Sequence, residues 1–211
     1  MSRLISEYTA RITDLVQTIA REEEPRILAA AEILSDKVVQ GRLINIFGAG
    51  GHSAIGAMEI FWRAGGLAQV NGMFPAGTNI ISALPTTAKV QGLAPFILNF
   101  YNVYKDDVLI LVNFYGLNII SVDVAIEAKK RGVKLITVNA HQFAKTVPAD
   151  FIWRHPSKKN INEFADVAVD NHVPYPDAIL KADGIEEEFG PTATTLTCFT
   201  LNCMMAETIR L

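Results

Sequence analysis

Cysteine is scarce in this sequence, and so is charge. Cys198 and Cys203 are the two cysteines, and their spacing matches neither a disulfide framework nor a C-x-x-C metal or redox motif. We interpret both as reduced residues of the core. Charged residues make up 19% of the chain, the formal net charge is -3, and no basic block stands out. This balance argues against a nucleic-acid-binding surface.

Long uninterrupted apolar runs are also missing. The uncharged stretch 65–88 contains two prolines and several glycines, and the uncharged stretch 189–206 contains Pro191, Asn202 and several threonines. Neither fits a membrane span, because a helix built from it would leave polar groups unsatisfied in lipid. The first residues are charged and lack the continuous apolar core of an export signal. We expect a cytoplasmic protein that does not enter membranes.

Half of the residues are hydrophobic, which is enough for one buried core and a single domain of 211 residues. Apolar residues at three- and four-residue spacing predict a first helix over 4–19. Pro25, which follows three acidic residues, begins a second helix over 26–40. Residues 1–41 therefore form an N-terminal helical hairpin, ahead of an α/β core over residues 42–211.

The core begins with an apolar run at residues 43–47, which predicts a buried strand. A glycine-rich loop follows at residues 48–53, and Ser53 is a candidate N-cap for a helix over 54–63. The free N–H groups at the start of that helix, together with its dipole, favour an anion. The loop is therefore a candidate binding site for an anionic ligand.

Strands and helices alternate along the rest of the core. We predict strands over 67–70, 108–113, 133–138 and 164–170, a loop over 71–85, and helices over 89–104 (interrupted by Pro95), 119–130 and 191–209. This alternation predicts a three-layer, doubly wound, Rossmann-like α/β sandwich with a mainly parallel five-stranded sheet. Ligands of such sheets bind beyond the carboxyl ends of the strands. The loops after Phe47, after Val112 and at Gly190 should therefore converge.

Two nucleotide-binding motifs can be excluded. Gly48 and Gly50 begin the pattern G-x-G-x-x-G, but Ser53 stands at the third glycine. No acidic residue that could bind a ribose hydroxyl occurs between Glu59 and Asp106. A phosphate-binding P-loop would need G-K-[ST] after the glycines, and the sequence lacks it.

Four segments carry a family resemblance. They are FGAGGHSAIGAMEIFWRAGG, DVLILVNFYGLNIISVDVAIEAKKRGVKLITV, FIWRHPSKKNINEFADVAVDN and EEEFGPTATTLTCFTLNCMMAE. Together they resemble the SIS (sugar isomerase) domain family, and within it a single-domain bacterial subgroup of phosphosugar isomerases and phosphosugar-binding proteins. The resemblance covers nearly the whole chain. It implies that hydroxyl-bearing loops bind a sugar phosphate near the interface of a homodimer, and two dimers could form a tetramer.

The resemblance implies which residues bind the ligand in two of the loops. Ser53 falls on the serine of the first loop, with His52 beside it. The first loop also contributes Gly48, Gly50 and Gly51, and the third loop contributes Thr192, Thr194 and Thr195. Short hydroxyls add hydrogen-bond donors beside the N–H groups of a helix terminus. The alternative for each serine or threonine is helix capping alone.

The second loop departs from the family pattern S-x-S-G-x-[NST]. It reads N-F-Y-G-L-N at residues 113–118, so both serines are gone. Asn113 and Asn118 can still donate amide hydrogens, and Gly116 keeps the tight turn. Tyr115 either donates its hydroxyl to the ligand or closes the pocket together with its aromatic neighbour. The pattern leaves open whether the ligand carries a phosphate.

The family chemistry is aldose–ketose interconversion through an enediolate, which needs a base. Glu187 leads the candidates because it stands five residues before Thr192, where isomerases of the family place a glutamate. Glu59 and His52 are further candidates. Acidic runs such as residues 186–188 are often solvated helix faces, which is the alternative for Glu187. A non-catalytic sugar sensor, or an etherase or lyase acting on a phosphosugar, are the alternative functions.

Other residues complete the predicted site. Arg154, His155 and His172 come from loops that can reach the ligand, and His141 follows a predicted strand. No three residues have the spacing of metal ligands, so we expect neither a metal nor another cofactor. The expected partners are the sugar and further copies of the chain.

Overall fold

The computed structural model describes residues 2–78 and 89–211. Its helices are α1 (Arg3–Glu22), α2 (Glu24–Val39), α3 (Gly51–Ile60), α4 (Ala94–Phe100), α5 (Ile119–Arg131), α6 (His141–Thr146) and α7 (Ala193–Arg210), with a 3-10 helix at Ile161–Phe164. Its strands are β1 (Ile44–Gly48), β2 (Val70–Met73), β3 (Val108–Val112), β4 (Lys134–Asn139) and β5 (Val167–Asp170). The loop predicted at 71–85 lies partly outside the described residues.

The five strands form one sheet in the order β2-β1-β3-β4-β5, and every described pairing is parallel. The chain leaves β1 toward β2 on one side and returns to β3 on the other. The strand order therefore reverses between β1 and β3, which is where ligands of open α/β sheets bind. The predicted fold class is confirmed.

Side chains of the central strands alternate between two apolar cores. Ile44 and Ile46 of β1 belong to the core that also holds residues of α2, α3 and α7, whereas Phe47 faces the core of α4 and α5. β3 alternates in the same way, with Ile110 in the first core and Leu109 in the second. A strand covered on both faces has no polar side, which explains the continuous apolar runs in the sequence.

The N-terminal hairpin is confirmed, and its two helices differ in burial. Ile19 is the one buried residue among the twenty of α1, while α2 buries residues along its length. Glu23, between the two helices, is 3% exposed and accepts a hydrogen bond from the backbone N–H of Asp170 at 3.0 Å. This bond ties the hairpin to the end of β5.

Several titratable groups surround the hydrogen bond between Glu23 and Asp170. Burial alone would raise the pKa of Glu23, but hydrogen bonds from His172 and from Asp170 N–H, together with the Arg26 guanidinium, hold it below its ordinary value. The same bond to Glu23 raises the pKa of His172. Burial lowers the pKa of His141, which begins α6 directly after β4.

Four predicted elements need correction. The strand over 164–170 is shorter than predicted, because Phe164 ends the 3-10 helix and β5 covers only Val167–Asp170. The helix over 89–104 is wrong in extent, because α4 covers only Ala94–Phe100 and Pro95 stands at its start, where a missing N–H costs nothing. The strand over 67–70 is displaced to Val70–Met73, opposite β1. The helix over 54–63 begins earlier, at Gly51, so Ser53 lies inside its first turn instead of capping it.

The two cysteines lie on α7 and are half-buried, so they are less deeply buried than predicted. Both are free thiols. Burial, followed by the nearby Glu59 carboxylate, raises the pKa of Cys198 to about 11, and burial also raises that of Cys203. In residues 2–78 and 89–211, no helix combines the length and the apolar character needed to cross a bilayer.

Candidate functional site

The first loop, residues 48–53, leaves β1 through a turn that only glycine allows. A Cβ atom at Gly48 would overlap the backbone carbonyl of Ser53. Gly50 has φ +93° and stands at the N-cap of α3. The N–H groups of Gly51, His52 and Ser53 follow in the first helical turn, where an α-helix provides no backbone acceptor. The loop therefore presents donors and a partial positive charge at the carboxyl end of the sheet.

Two buried side chains bind the first loop to the second loop, residues 113–118. The backbone N–H of Phe114 donates to Oγ of Ser53 at 3.0 Å. The amide of Asn113 donates to the carbonyl of Ala49 at 3.3 Å, and its oxygen accepts the N–H of Leu117 at 3.2 Å. Ser53 and Asn113 thus hold the two loops in register, a role that the sequence did not indicate.

A cleft of about 50 Å³ lies between these two loops. It is lined by Ala49, Gly50, Gly51, His52, Ser53, Asn113, Phe114, Tyr115 and Asn118. Pockets that enclose a whole drug-sized ligand measure about 300–1,000 Å³. The cleft therefore has room for one small group of a ligand rather than for a complete sugar phosphate.

The third loop, residues 190–195, meets the first loop through a side-chain contact. Nδ1 of His52 lies 3.2 Å from Oγ1 of Thr194. The hydroxyl of Tyr8 in α1 donates to the carbonyl of Pro191 at 2.6 Å, which holds the start of this loop from the other side. The predicted convergence of three loops is confirmed by these contacts and by the shared cleft.

The start of α7 is occupied by a carboxylate from within the chain. Oδ1 of Asp177 accepts hydrogen bonds from the backbone N–H of Thr192 at 2.7 Å, from its hydroxyl at 2.9 Å and from the N–H of Ala193 at 3.0 Å. The Thr192 side chain is fully buried and does not cap the helix itself. Capping is thus the task of Asp177, and Thr192 is a donor to it.

An aromatic cluster forms the wall behind the cleft. The ring of Phe114 lies 4.6 Å from those of Tyr115 and Phe143, and Tyr175 lies 4.7 Å from Phe143. Burial first, then the charge of Asp177 and then Tyr175, raises the pKa of Tyr115.

The turn of the second loop packs against the buried side-chain amide of Asn139. Gly116 has φ +72°, and a Cβ atom there would lie 2.5 Å from Nδ2 of Asn139. Asn118 is 8% exposed, and its side-chain oxygen has no hydrogen-bond partner among the described residues. Asn118 lines the cleft, but this oxygen is itself buried.

Three predicted binding residues have partners away from the cleft. The guanidinium of Arg154 donates to backbone carbonyls, including that of Val147 at 3.1 Å. His155 is buried, with Asp123 at 3.1 Å from Nε2 and Ser157 at 2.7 Å from Nδ1. His172 contacts Glu23, as described above. None of the three lines the cleft.

The two predicted glutamate bases also lie outside the cleft lining. Glu59 of α3 forms an ion pair with Arg63, which lies just beyond the end of this helix, and accepts a hydrogen bond from Asn202 of α7 at 2.9 Å. Glu187 is exposed in a segment without helical structure. The alternative prediction, a solvated helix face, is therefore right about exposure and wrong about the helix. Its neighbour Glu188 pairs with Lys181 at 2.8 Å.

Asp177 and Tyr175 are the site residues that sequence reasoning missed. They stand in the turn segment Y-P-D, a pattern that indicates a loop but not its contacts. Asp177 and Thr192 are fifteen residues apart, and only the folded chain brings them together. No group of three or more His, Cys, Asp or Glu side chains suited to a metal ion occurs within the described part of the chain.

Comparison with protein-family models matches residues 7–140 to the SIS domain. Among curated proteins, a UPF0309 protein from Geobacillus thermodenitrificans is 30% identical over 99% of this chain and 83% of its own length. A UPF0309 protein from Streptomyces avermitilis is 31% identical over 97% of this chain and 82% of its own length.

Two solved structures share the fold. A phosphoheptose isomerase from Francisella tularensis superposes with a TM-score of 0.59 at 13% sequence identity, covering 100% of both chains. A phosphoheptose isomerase from Neisseria gonorrhoeae gives a TM-score of 0.53 at 15% identity, covering 98% of this chain and 97% of its own. At such low identity the likeness concerns the fold alone.

Proposed function

The chain belongs to the SIS domain family, and we propose that it binds a sugar phosphate or a related anionic sugar at the carboxyl ends of its strands and interconverts aldose and ketose forms. The observation that carries this proposal is the meeting of three loops at the point where the strand order reverses. The cleft joins the first and second loops, and the contact between His52 and Thr194 adds the third.

The anionic group of the ligand has a defined place in this proposal. The N-terminus of α3 offers the N–H groups of Gly51, His52 and Ser53, and the helix dipole adds partial positive charge. The cleft volume of about 50 Å³ suits one compact anionic group. The carbon chain of the sugar then extends toward Tyr115 and Thr194.

His52 is the proposed base, because it is the titratable side chain that joins the cleft to the third loop. It removes the proton from C2 of an aldose, which produces an enediolate, and returns a proton to C1. The hydroxyl proton moves from O2 to O1, so no other reagent is consumed. Glu187 and Glu59 remain candidates for the base.

Ligand binding is the first test. A thermal-shift screen of sugars, sugar phosphates and sulfonated sugars should identify a ligand, because a concentration 100 times above Kd adds about 2.7 kcal/mol to the free energy of unfolding. The stabilising aldose is then incubated with the protein in heavy water. We expect deuterium at C2, detected by NMR.

Variants assign the base. His52→Gln should abolish the exchange, whereas Asp183→Asn, an exposed acid in the loop before the third loop, should retain it. Glu187→Gln and Glu59→Gln are measured in parallel, and loss of exchange in one of them with full exchange in His52→Gln would transfer the role of base to that glutamate. No exchange with any stabilising sugar would contradict the isomerase proposal.

A sugar sensor is the second candidate function, and the second loop favours it. Tyr115 stands where the family pattern has a serine, and its ring packs with that of Phe114 into the aromatic cluster. A sensor would show ligand-dependent stabilisation without turnover or exchange. Turnover of any stabilising sugar would eliminate it.

Self-association is part of the proposal. Among the residues of α1, apolar side chains such as Ile5, which is 57% exposed, are left without burial. A second copy of the chain would cover such a face, in a homodimer or a tetramer. Sedimentation of a monomer at micromolar concentration would contradict this.

A further inference from the structure

We propose that Asp177 takes the place of a ligand anion at the N-terminus of α7, and that it restricts the three-loop site to sugars with a single anionic group. This inference rests on the proposed function and specifies its substrate class. The excluded ligands are those with a second anionic group at the end of the sugar that faces the third loop.

The hydrogen bonds of Asp177 are those that a bound anion would make. One carboxylate oxygen accepts two backbone N–H groups and one hydroxyl, at 2.7–3.0 Å, from Thr192 and Ala193. α7 has 18 residues, so its dipole is fully developed at this end. A ligand phosphate could reach these donors only by displacing the carboxylate.

The two helix termini at the site therefore differ in charge. At α3, the N–H groups of Gly51, His52 and Ser53 have no acceptor among the described residues. At α7, the N–H groups of Thr192 and Ala193 donate to Asp177, whose negative charge compensates the dipole, whereas the N–H groups of Thr194 and Thr195 have no acceptor among the described residues. An anionic group is thus favoured in the cleft at α3 and opposed at α7, because like charges repel across a partly dry site.

The aromatic cluster includes Tyr175, which stands two residues before Asp177 in the chain. Tyr115 lines the cleft and Tyr175 is 53% exposed beside Phe143. Aromatic faces suit the C–H surfaces of an uncharged sugar end, and a nearby carboxylate accepts hydrogen bonds from sugar hydroxyls. The specificity expected at this end is for hydroxyl groups rather than for phosphate.

The test compares one pair of probes in three proteins. Affinities of glucose 6-phosphate and glucose 1,6-bisphosphate are measured by calorimetry for wild type, Asp177→Asn and the control Asp183→Asn. Asparagine keeps the acceptor oxygen and removes the charge. We expect Asp177→Asn to bind the bisphosphate about fivefold to tenfold more tightly than wild type does, the size of one partly solvated charge contact. The control Asp183→Asn, which has the same net charge as Asp177→Asn, should bind both probes as wild type does.

Two results would overturn the inference. One is an Asp177→Asn variant with no gain in bisphosphate affinity, including the case in which neither protein binds it. The other needs no variant: wild type that binds the bisphosphate as tightly as the monophosphate. Failure of the proposed function is a different result, namely no stabilisation of wild type by any sugar or sugar phosphate. The inference alone fails when wild type binds glucose 6-phosphate and either of the two results above is obtained.

Discussion

Replacing Ser53 by alanine tests whether this residue holds two loops together. Its Oγ accepts the N–H of Phe114 at 3.0 Å, and Ser53 is 3% exposed while Phe114 is 7% exposed. In the variant this N–H stays buried without an acceptor, which costs about 1–3 kcal/mol. Alanine is a better helix former than serine by about 0.5 kcal/mol, which offsets part of that cost.

The net loss in the free energy of unfolding should therefore be about 1.5 kcal/mol, which lowers Tm by about 3–6 °C in a domain of this size. Urea unfolding followed by circular dichroism measures it, with an unchanged m-value. Ser6→Ala, at an exposed position of α1, is the matched control and should change stability by less than about 0.5 kcal/mol. Equal stability of the two variants would refute the role assigned to Ser53.

Two further predictions concern stability. Gly116→Ala should lower the free energy of unfolding by about 1–3 kcal/mol, because the φ of +72° and the contact with Asn139 both oppose a side chain. Gly184→Ala, with φ +80° and nothing within 4 Å, should lower it less. Urea unfolding midpoints of the two variants test this difference. The raised pKa of His172 contributes stability below the ordinary histidine value of about 6.5, and this contribution is lost as pH rises through the folded pKa. His172→Gln should therefore lose stability at pH 5.5 and match wild type at pH 9, and an equal loss at both values would exclude the ion pair with Glu23 as its cause.

The sheet was predictable because its signals are local. The apolar runs of β1 and β3 identify buried strands, and the glycines after β1 identify the binding loop. The extent of the helix around Pro95 was predicted wrongly, because proline can break a helix or begin one. Which of the two occurs here depends on packing against α5. The strand after α3 shifted because its register is set by pairing with β1 rather than by its own sequence.

The site was less predictable, because the roles of its residues depend on contacts between distant segments. Ser53 is a plausible cap by sequence, yet its hydroxyl serves a loop 61 residues away. Asp177 has no motif, and its importance follows only from the three donors around it. The acidic run at 186–188 drew attention by composition, although the chain leaves it exposed.

The bonds from Ser53 and Asn113 also have a kinetic consequence. Because two walls of the cleft are joined before any ligand arrives, binding there does not include the ordering of those loops. Association should then follow a single phase whose observed rate rises linearly with ligand concentration, and affinities among related sugars should differ mainly in their dissociation rates. The cleft would act as a rigid receptor whose discrimination lies in how long each sugar stays.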